Sequence, residues 1–225
     1  MKKLDWKQLG QFFSVLLSVF AIIRGTFKKM GIGIEIISWI VTEEGKKYFS
    51  EKVLEPLGKE YLTTQRVRFL SETVIEVNLD IAPRLPFDGA KVETYTGGGW
   101  VKVEKRKDGL YVGGHKVILY LSERQKDGKV IKGYELKEEI TGKWVLNANI
   151  LDALLENLHL IPEEWKKDGN GNTIFIFFWG TIFRGPSDGS LIVRCLCFGV
   201  GQWYSSHFWL DYGFLSVWPA ALLAS

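Results

Sequence analysis

Four side chains that could carry acid, base or nucleophilic chemistry crowd the last stretch of the sequence: Ser205, Ser206, His207 and Asp211. A hydroxyl, an imidazole and a carboxylate are the parts of a hydrolytic triad, in which the imidazole takes the hydroxyl proton and the carboxylate orients the imidazole. Such groups have to converge from separate elements, and near neighbours on one stretch of chain do not hold that geometry. Glu163 and Glu164 form a carboxylate pair beside Trp165 at what reads as a helix start, where the positive end of the helix dipole favours acid. His159 reads as a packing or capping residue, and His115, in a glycine turn, is expected to be exposed. Cys195 and Cys197 are two apart in a strand-like run, so they point to one face, too far apart and too parallel to bridge easily. Cys-x-Cys alone is a weak metal signal, and only Arg194 next to it is basic, so the thiols lack the surroundings that activate a cysteine. The expectation is a non-enzyme with no catalytic residue, no metal and no cofactor.

The chain has 225 residues, with 46% apolar and 24% charged side chains, a net charge of +3 and nine tryptophans. That is enough for one large domain, or for a domain plus an accessory part, and the charge is too small to argue for nucleic acid. From Asn172 onward the character changes. The apolar run Thr173–Trp179 leads to a turn at Gly185-Pro-Ser-Asp-Gly189, and a second strand-like run follows, Leu191–Phe198. No lysine or glutamate occurs after Lys167, and beyond Asp168 the charged residues are Arg184, Asp188, Arg194 and Asp211. From Gly199 on, Trp, Tyr, Ser, His and Gly mix without helical or strand period. A buried segment should be periodic and a solvated loop should be charged. This segment is neither, and its composition resembles a paratope, where Tyr, Trp, Ser and Gly give contact area at low entropy cost.

Upstream, residues 4–24 read as a helix with a twelve-residue uncharged stretch, Phe12–Ile23. That is shorter than the roughly 20 residues a bilayer span needs. Lys7, Gln11, Ser14 and Ser18 leave one narrow polar stripe. A packing or oligomerisation helix is expected, with membrane contact through residues 4–24 as the alternative, given Arg24, Lys28 and Lys29 beside it. Asp5 and Trp6 and the absence of a small-x-small site before Arg24 argue against a secretory signal, so a cytoplasmic protein is expected, with cell-surface or membrane association as the alternative. A second apolar run, Ile32–Val41, precedes Thr42, which is placed to cap a helix running through Leu54. Residues 66–80 alternate as a strand does. Pro83 and Pro86 make 81–90 a plausible boundary. Residues 91–145 read as a β-meander, with Gly97–Gly99 as a hairpin turn, since no Gly-Lys-Ser/Thr follows. The charges at Lys102, Lys105, Arg106 and Lys107 read as a solvated sheet face. Ile150–Glu156 reads as a short helix capped by Asn149, Ile161–Trp165 as another with Pro162 in its first turn, and Lys167–Gly171 as a hairpin turn. The pattern is α+β, divided into an N-terminal helical region (1–65), a β-rich region (66–145) and a C-terminal region (146–225).

The runs Phe177–Arg184, Val193–Trp203, Trp209-Leu210 and Pro219–Ser225, together with Leu146–Asp152 and His159–Trp165, resemble the variable proteins of diversity-generating retroelements. The resemblance covers about the last 80 residues well. It implies a C-type lectin-like domain over 146–225 whose C-terminal segment is rewritten through error-prone, adenine-targeted reverse transcription. It also implies a ligand-binding role for the rewritten residues. Rewritten positions must tolerate many side chains, so they belong on solvent-facing loops over a rigid frame. The expected frame is Trp179, Arg194, Leu196, Phe198, Gly201, Trp203, Trp209, Leu210 and Pro219. The expected ligand-binding residues are Val200, Tyr204, Ser205, Ser206, His207, Phe208, Asp211, Tyr212, Leu215, Ser216, Val217 and Trp218. The ligand expected is a protein and not a nucleic acid, and an oligomer is compatible with the sequence. The contrasting reading is a structural or membrane-associated self-assembling protein, in which the N-terminal helix and the aromatic tail drive association.

Overall fold

The computed structural model describes residues 21, 22, 25, 26, 29, 39, 42–54, 65–187 and 189–224, and the chain divides into two compact units, Met1–Thr63 and Thr64–Ser225. In the first unit helix α1 (Glu43–Phe49) starts where the sequence places it. Thr42 has extended backbone and its Oγ1 accepts from Gly45 N at 3.1 Å, with Glu43 and Glu44 in the first turn and Lys46 and Lys47 in the last. These are the charges that complement the helix dipole. The helix runs on into a π-helical turn, Ser50–Leu54. The helix expected over 4–24 and the run Ile32–Val41 fall, but for a few positions, outside the described residues. No helix among the described residues is long and apolar enough to cross a membrane.

The second unit is α+β. Residues 66–80 form a hairpin of two strands, β1 (Val67–Ser71) and β2 (Val74–Asn78). Next come β3 (Lys91–Tyr95), β4 (Trp100–Arg106), β5 (Gly109–Val112) and β6 (His115–Tyr120). A short β7 (Ile131–Lys132) leads into α2 (Gly133–Glu139), and α3 (Ala148–Glu156) follows. The chain then lays down β8 (Phe175–Arg184), β9 (Leu191–Gly199), β10 (Gln202–Trp209), β11 (Gly213–Phe214) and β12 (Ala220–Leu223). The main sheet has ten strands in the order β1-β2-β4-β5-β6-β12-β8-β9-β10, with β3 paired to the far half of β8, and β7 and β11 form a separate small ladder. Because β2 pairs with β4, and β6 with β12, the sheet runs unbroken across both 81–90 and 145–146.

Gly97–Gly99 is not a hairpin turn. β3 pairs with β8 and β4 with β2, so the glycines carry the chain from one part of the sheet to another. Gly97 has φ of 124°, and a Cβ there would lie 2.8 Å from Asn147 Nδ2 and 2.9 Å from Leu79 Cδ1, so only glycine lets the crossing chain pass so close. The basic run near it is largely engaged. Lys105 Nζ donates to the carbonyls of His159 and Ile161, and Arg106 pairs with Glu104 while lying over the ring of Tyr111.

Both faces of the β8–β9 region are buried, which explains why Thr173–Trp179 and Leu191–Phe198 read as continuous apolar runs instead of alternating ones. On one face Ile176, Phe178 and Leu196 pack with Ile150, Leu151 and Leu154 of α3 and with Ile75, Val103 and Val112. Each large aliphatic side chain buried this way contributes about 1.5–3 kcal/mol. On the other face Phe177, Trp179, Val193 and Cys195 pack with Ile131, Leu136, Leu210 and Phe214. Asn147, not Asn149, caps α3, its side chain accepting from Ile150 N at 3.2 Å. Asn149 lies inside the helix, and its Nδ2 donates to the carbonyls of Asn78 and Ile81. A buried amide that ties down two carbonyls is worth more there than at a cap that its neighbour already fills.

Candidate binding surface

The C-terminal segment begins with a tight hairpin. β9 and β10 pair from Gln202↔Gly199 to Trp209↔Ile192 without a bulge, turning through Val200 and Gly201. Both turn residues have positive φ, 51° and 78°, as the hairpin turn that matches strand twist requires. Glycine adopts that conformation freely, whereas a β-branched side chain is a true outlier in it. Val200 is also fully solvent-exposed at 103%, so nothing in the fold rewards the valine. Val200→Asn is expected to raise stability by about 1 kcal/mol, read as a higher midpoint in urea unfolding.

The stretch expected as an aperiodic loop is therefore largely the strand β10. Its polarity does not alternate because both of its faces are partly covered. The rings of Trp203 and Trp209 lean on the packed side that carries α3, and His207 stacks on Phe87 at 5.1 Å. On the opposite face Phe208 meets Phe177 at 5.7 Å and Trp218 at 4.4 Å.

Past β10 the chain turns at Asp211 and Tyr212, forms β11, turns again over Leu215–Trp218, and enters β12. Three hydrogen bonds from two side chains hold these turns. Lys132 Nζ donates to Asp211 O at 2.8 Å. The fully buried Gln125 donates through Nε2 to Leu215 O at 2.9 Å and to Trp218 O at 3.1 Å. Gln125 is itself held by a capping box with Ser122. By type it does not stand out, since it lies in a lysine- and arginine-rich turn. The one available signal was a glutamine three residues after a serine.

The frame beneath β10 centres on a buried ion pair. Arg194 Nη2 lies 2.8 Å from Asp152 Oδ1, and the two side chains are 6% and 5% exposed. Arg194 Nη1 donates to Arg84 O at 2.9 Å and its Nε to Ser205 Oγ at 3.2 Å, while Arg84 N donates to Asp152 Oδ2 at 3.0 Å. One guanidinium thus joins β9, α3, the 81–90 connection and β10.

The twelve expected binding residues sort by exposure. Val200, Tyr204, Asp211, Tyr212, Leu215 and Ser216 are exposed, with Tyr204, Tyr212 and Leu215 at 39%, 51% and 41%. Ser205, Ser206, His207, Phe208, Val217 and Trp218 are half-buried. Of these, the rings of Phe208 and Trp218 belong to the aromatic cluster around Phe177 and act as frame more than as surface. Among the expected frame residues, Trp179, Arg194, Leu196, Leu210 and Pro219 are buried, Phe198, Trp203 and Trp209 are half-buried, and Gly201 is exposed.

No protein-family model, curated protein or solved structure matches this chain. What it can do is read from the geometry. The triad types do not assemble: Ser205 is engaged by Arg194, His207 sits between the rings of Phe87 and Trp209, and Asp211 lies beyond the end of β10. Both cysteines are buried free thiols, and burial pushes Cys195 well above its ordinary value. Glu163 pairs with Lys166, and His115, as exposed as expected, donates from Nδ1 to Ala224 O and meets the ring of Trp144 edge-on.

His207 is held below its ordinary value of 6.5, first by desolvation and then by the nearby Arg194 charge. A depressed folded-state value means the unfolded chain protonates first as pH falls. Stability is therefore expected to be complete above about pH 7 and to decline as pH drops through the unfolded value of about 6.5. His207→Gln should remove that part of the decline, as thermal midpoints measured between pH 7.5 and pH 5 would show.

Proposed function

We propose that this chain is a non-catalytic recognition protein that binds a protein ligand through its C-terminal surface, displayed in the manner of a C-type lectin-like domain and rewritten by a diversity-generating retroelement. The carrying observation is the division of labour between Gly199 and Trp218. Val200, Tyr204, Asp211, Tyr212, Leu215 and Ser216 face solvent, while the backbone carrying them is held by the β9 ladder along β10 and by Lys132 and Gln125, which bond the carbonyls of Asp211, Leu215 and Trp218. Main-chain anchoring of this kind leaves the outward side chains free to change without loss of the fold. Tyrosines and serines over such a frame supply contact area and adaptable hydrogen bonds at low entropy cost.

Two experiments test the reading. The triple variant Tyr204→Ala, His207→Ala, Tyr212→Ala should keep a cooperative thermal transition: the two tyrosines are exposed, where changes usually stay within about 0.5 kcal/mol each, and the half-buried His207 is the one that loses ring contacts. Loss of that transition would assign these residues to the core. At the gene level, the 3′ end should have a near-copy beside a reverse-transcriptase gene, with mismatches confined to template adenines. A genome without both would remove the diversification claim and leave the binding claim to be tested by selecting binders from a library varied at the exposed positions.

A further inference from the structure

β10 is the terminal strand of the ten-stranded sheet. Leu210 N donates to Leu191 O at 2.9 Å across the β9–β10 pair, which sets the parity of the ladder. Even-numbered residues exchange bonds with β9, so the N–H groups of Trp203, Ser205, His207 and Trp209 point to the open side, as do the carbonyls of Trp203, Ser205 and His207. Among the described residues, none of these outward groups has a backbone partner; the carbonyl of Trp209 accepts from Tyr212 N at 3.1 Å. Proteins ordinarily blunt an open edge with a charge, a proline, a bulge or a very short strand. β10 has eight residues, none of them Lys, Arg, Asp, Glu or Pro, and its register is unbroken.

Its sequence also reads nearly the same in both directions about Ser206. Trp203-Tyr204-Ser205 on one side answers His207-Phe208-Trp209 on the other, aromatic to aromatic and polar to polar. A two-fold interface needs this property, because residue i meets residue j and j meets i.

We propose that the open edge of β10 pairs with the β10 of a second copy, antiparallel, about a two-fold axis at Ser206. In this register Ser205 and the partner's His207 exchange both hydrogen bonds, and Trp209 N–H donates to the partner's Trp203 carbonyl, so each of the three open carbonyls finds an N–H; the Trp203 N–H faces the Trp209 carbonyl that already accepts from Tyr212 N. Tyr204 faces the partner's Phe208 as a close non-hydrogen-bonded pair, an arrangement favourable for aromatic side chains. The ten-stranded sheet then continues into its copy. The pairing shares Tyr204 with the ligand-binding reading and leaves the other exposed positions, Val200, Asp211, Tyr212, Leu215 and Ser216, outside the paired strand.

Sedimentation velocity and residue-resolved amide hydrogen exchange on the full chain, each at a low and a high protein concentration, test it. The expected result is a dimer at high concentration. Exchange of the Ser205, His207 and Trp209 amides should then slow at least about tenfold, while the Tyr204, Ser206 and Phe208 amides stay protected at both concentrations. Ser206→Lys sets two like charges against each other at the axis and should weaken self-association at least about threefold. Continued protection of the even-numbered amides would show that this variant is folded. A monomer at both concentrations overturns the proposal. A dimer in which the odd-numbered amides exchange equally fast at both concentrations overturns it too, because association then runs through another surface.

Discussion

Replacing Arg194 by methionine is expected to cost about 3–5 kcal/mol of unfolding free energy. The guanidinium is nearly enclosed and is matched by Asp152 at 2.8 Å, so its removal leaves a buried carboxylate facing a methionine. It also strips the donors from Ser205 Oγ and Arg84 O, which undoes the link between β9, β10 and the 81–90 connection. Breaking one side of a buried pair costs far more than exchanging both sides for apolar groups of similar volume. The double variant Arg194→Met, Asp152→Leu should therefore recover most of the loss. Urea unfolding of the three proteins measures this, and a single-variant cost below about 1 kcal/mol would show that the pair behaves like a surface ion pair and does not anchor β10.

The second large effect is expected at Phe177. Its fully buried ring touches Trp179, Phe208, Phe214 and Trp218, with centroid separations of 6.4, 5.7, 4.8 and 5.7 Å. Phe177→Ala removes the ring around which the other four are arranged and is expected to cost about 3–5 kcal/mol through lost burial and the cavity left behind. Because Phe208 is on β10 and Trp218 closes the last turn, the same change should loosen the surface between them. Faster amide exchange at Phe208 and Trp218 than at Leu151, which packs on the other face of the sheet, would show that local effect. Uniform acceleration would mean that the two faces unfold as one.

Much of the frame was legible in the sequence, because its signals are local. Thr42 followed by two glutamates marks a helix start, and the apolar runs into Trp179 and Phe198 mark strands covered on both sides. Other features depend on partners distant in the chain. Asn147 and Asn149 are equally good caps by type, and only the carbonyls of Asn78 and Ile81 decide that Asn149 turns inward. Gly97–Gly99 looks like a hairpin because pairing between neighbouring strands is the commoner outcome, and nothing local reveals that β3 joins β8 instead. β10 lacks a strand period because packing covers both its faces. The Asp152–Arg194 pair did leave a trace: an acid inside the apolar run Ile150–Leu155 and a base inside Leu191–Phe198. Opposite charges, each set within an apolar run, are a reason to look for burial together, since neither is tolerated there alone.

On the proposed function, the outward side chains of the C-terminal surface are replaceable while the frame beneath them is not. Randomising Val200, Tyr204, Asp211, Tyr212, Leu215 and Ser216 together, and measuring the fraction of the library that resists protease as the parent does, tests it most directly. Most members are expected to stay folded, whereas a library randomised at Arg194, Leu196, Leu210 and Phe214 is expected to collapse. A surface library that loses folding as widely as the frame library would contradict it.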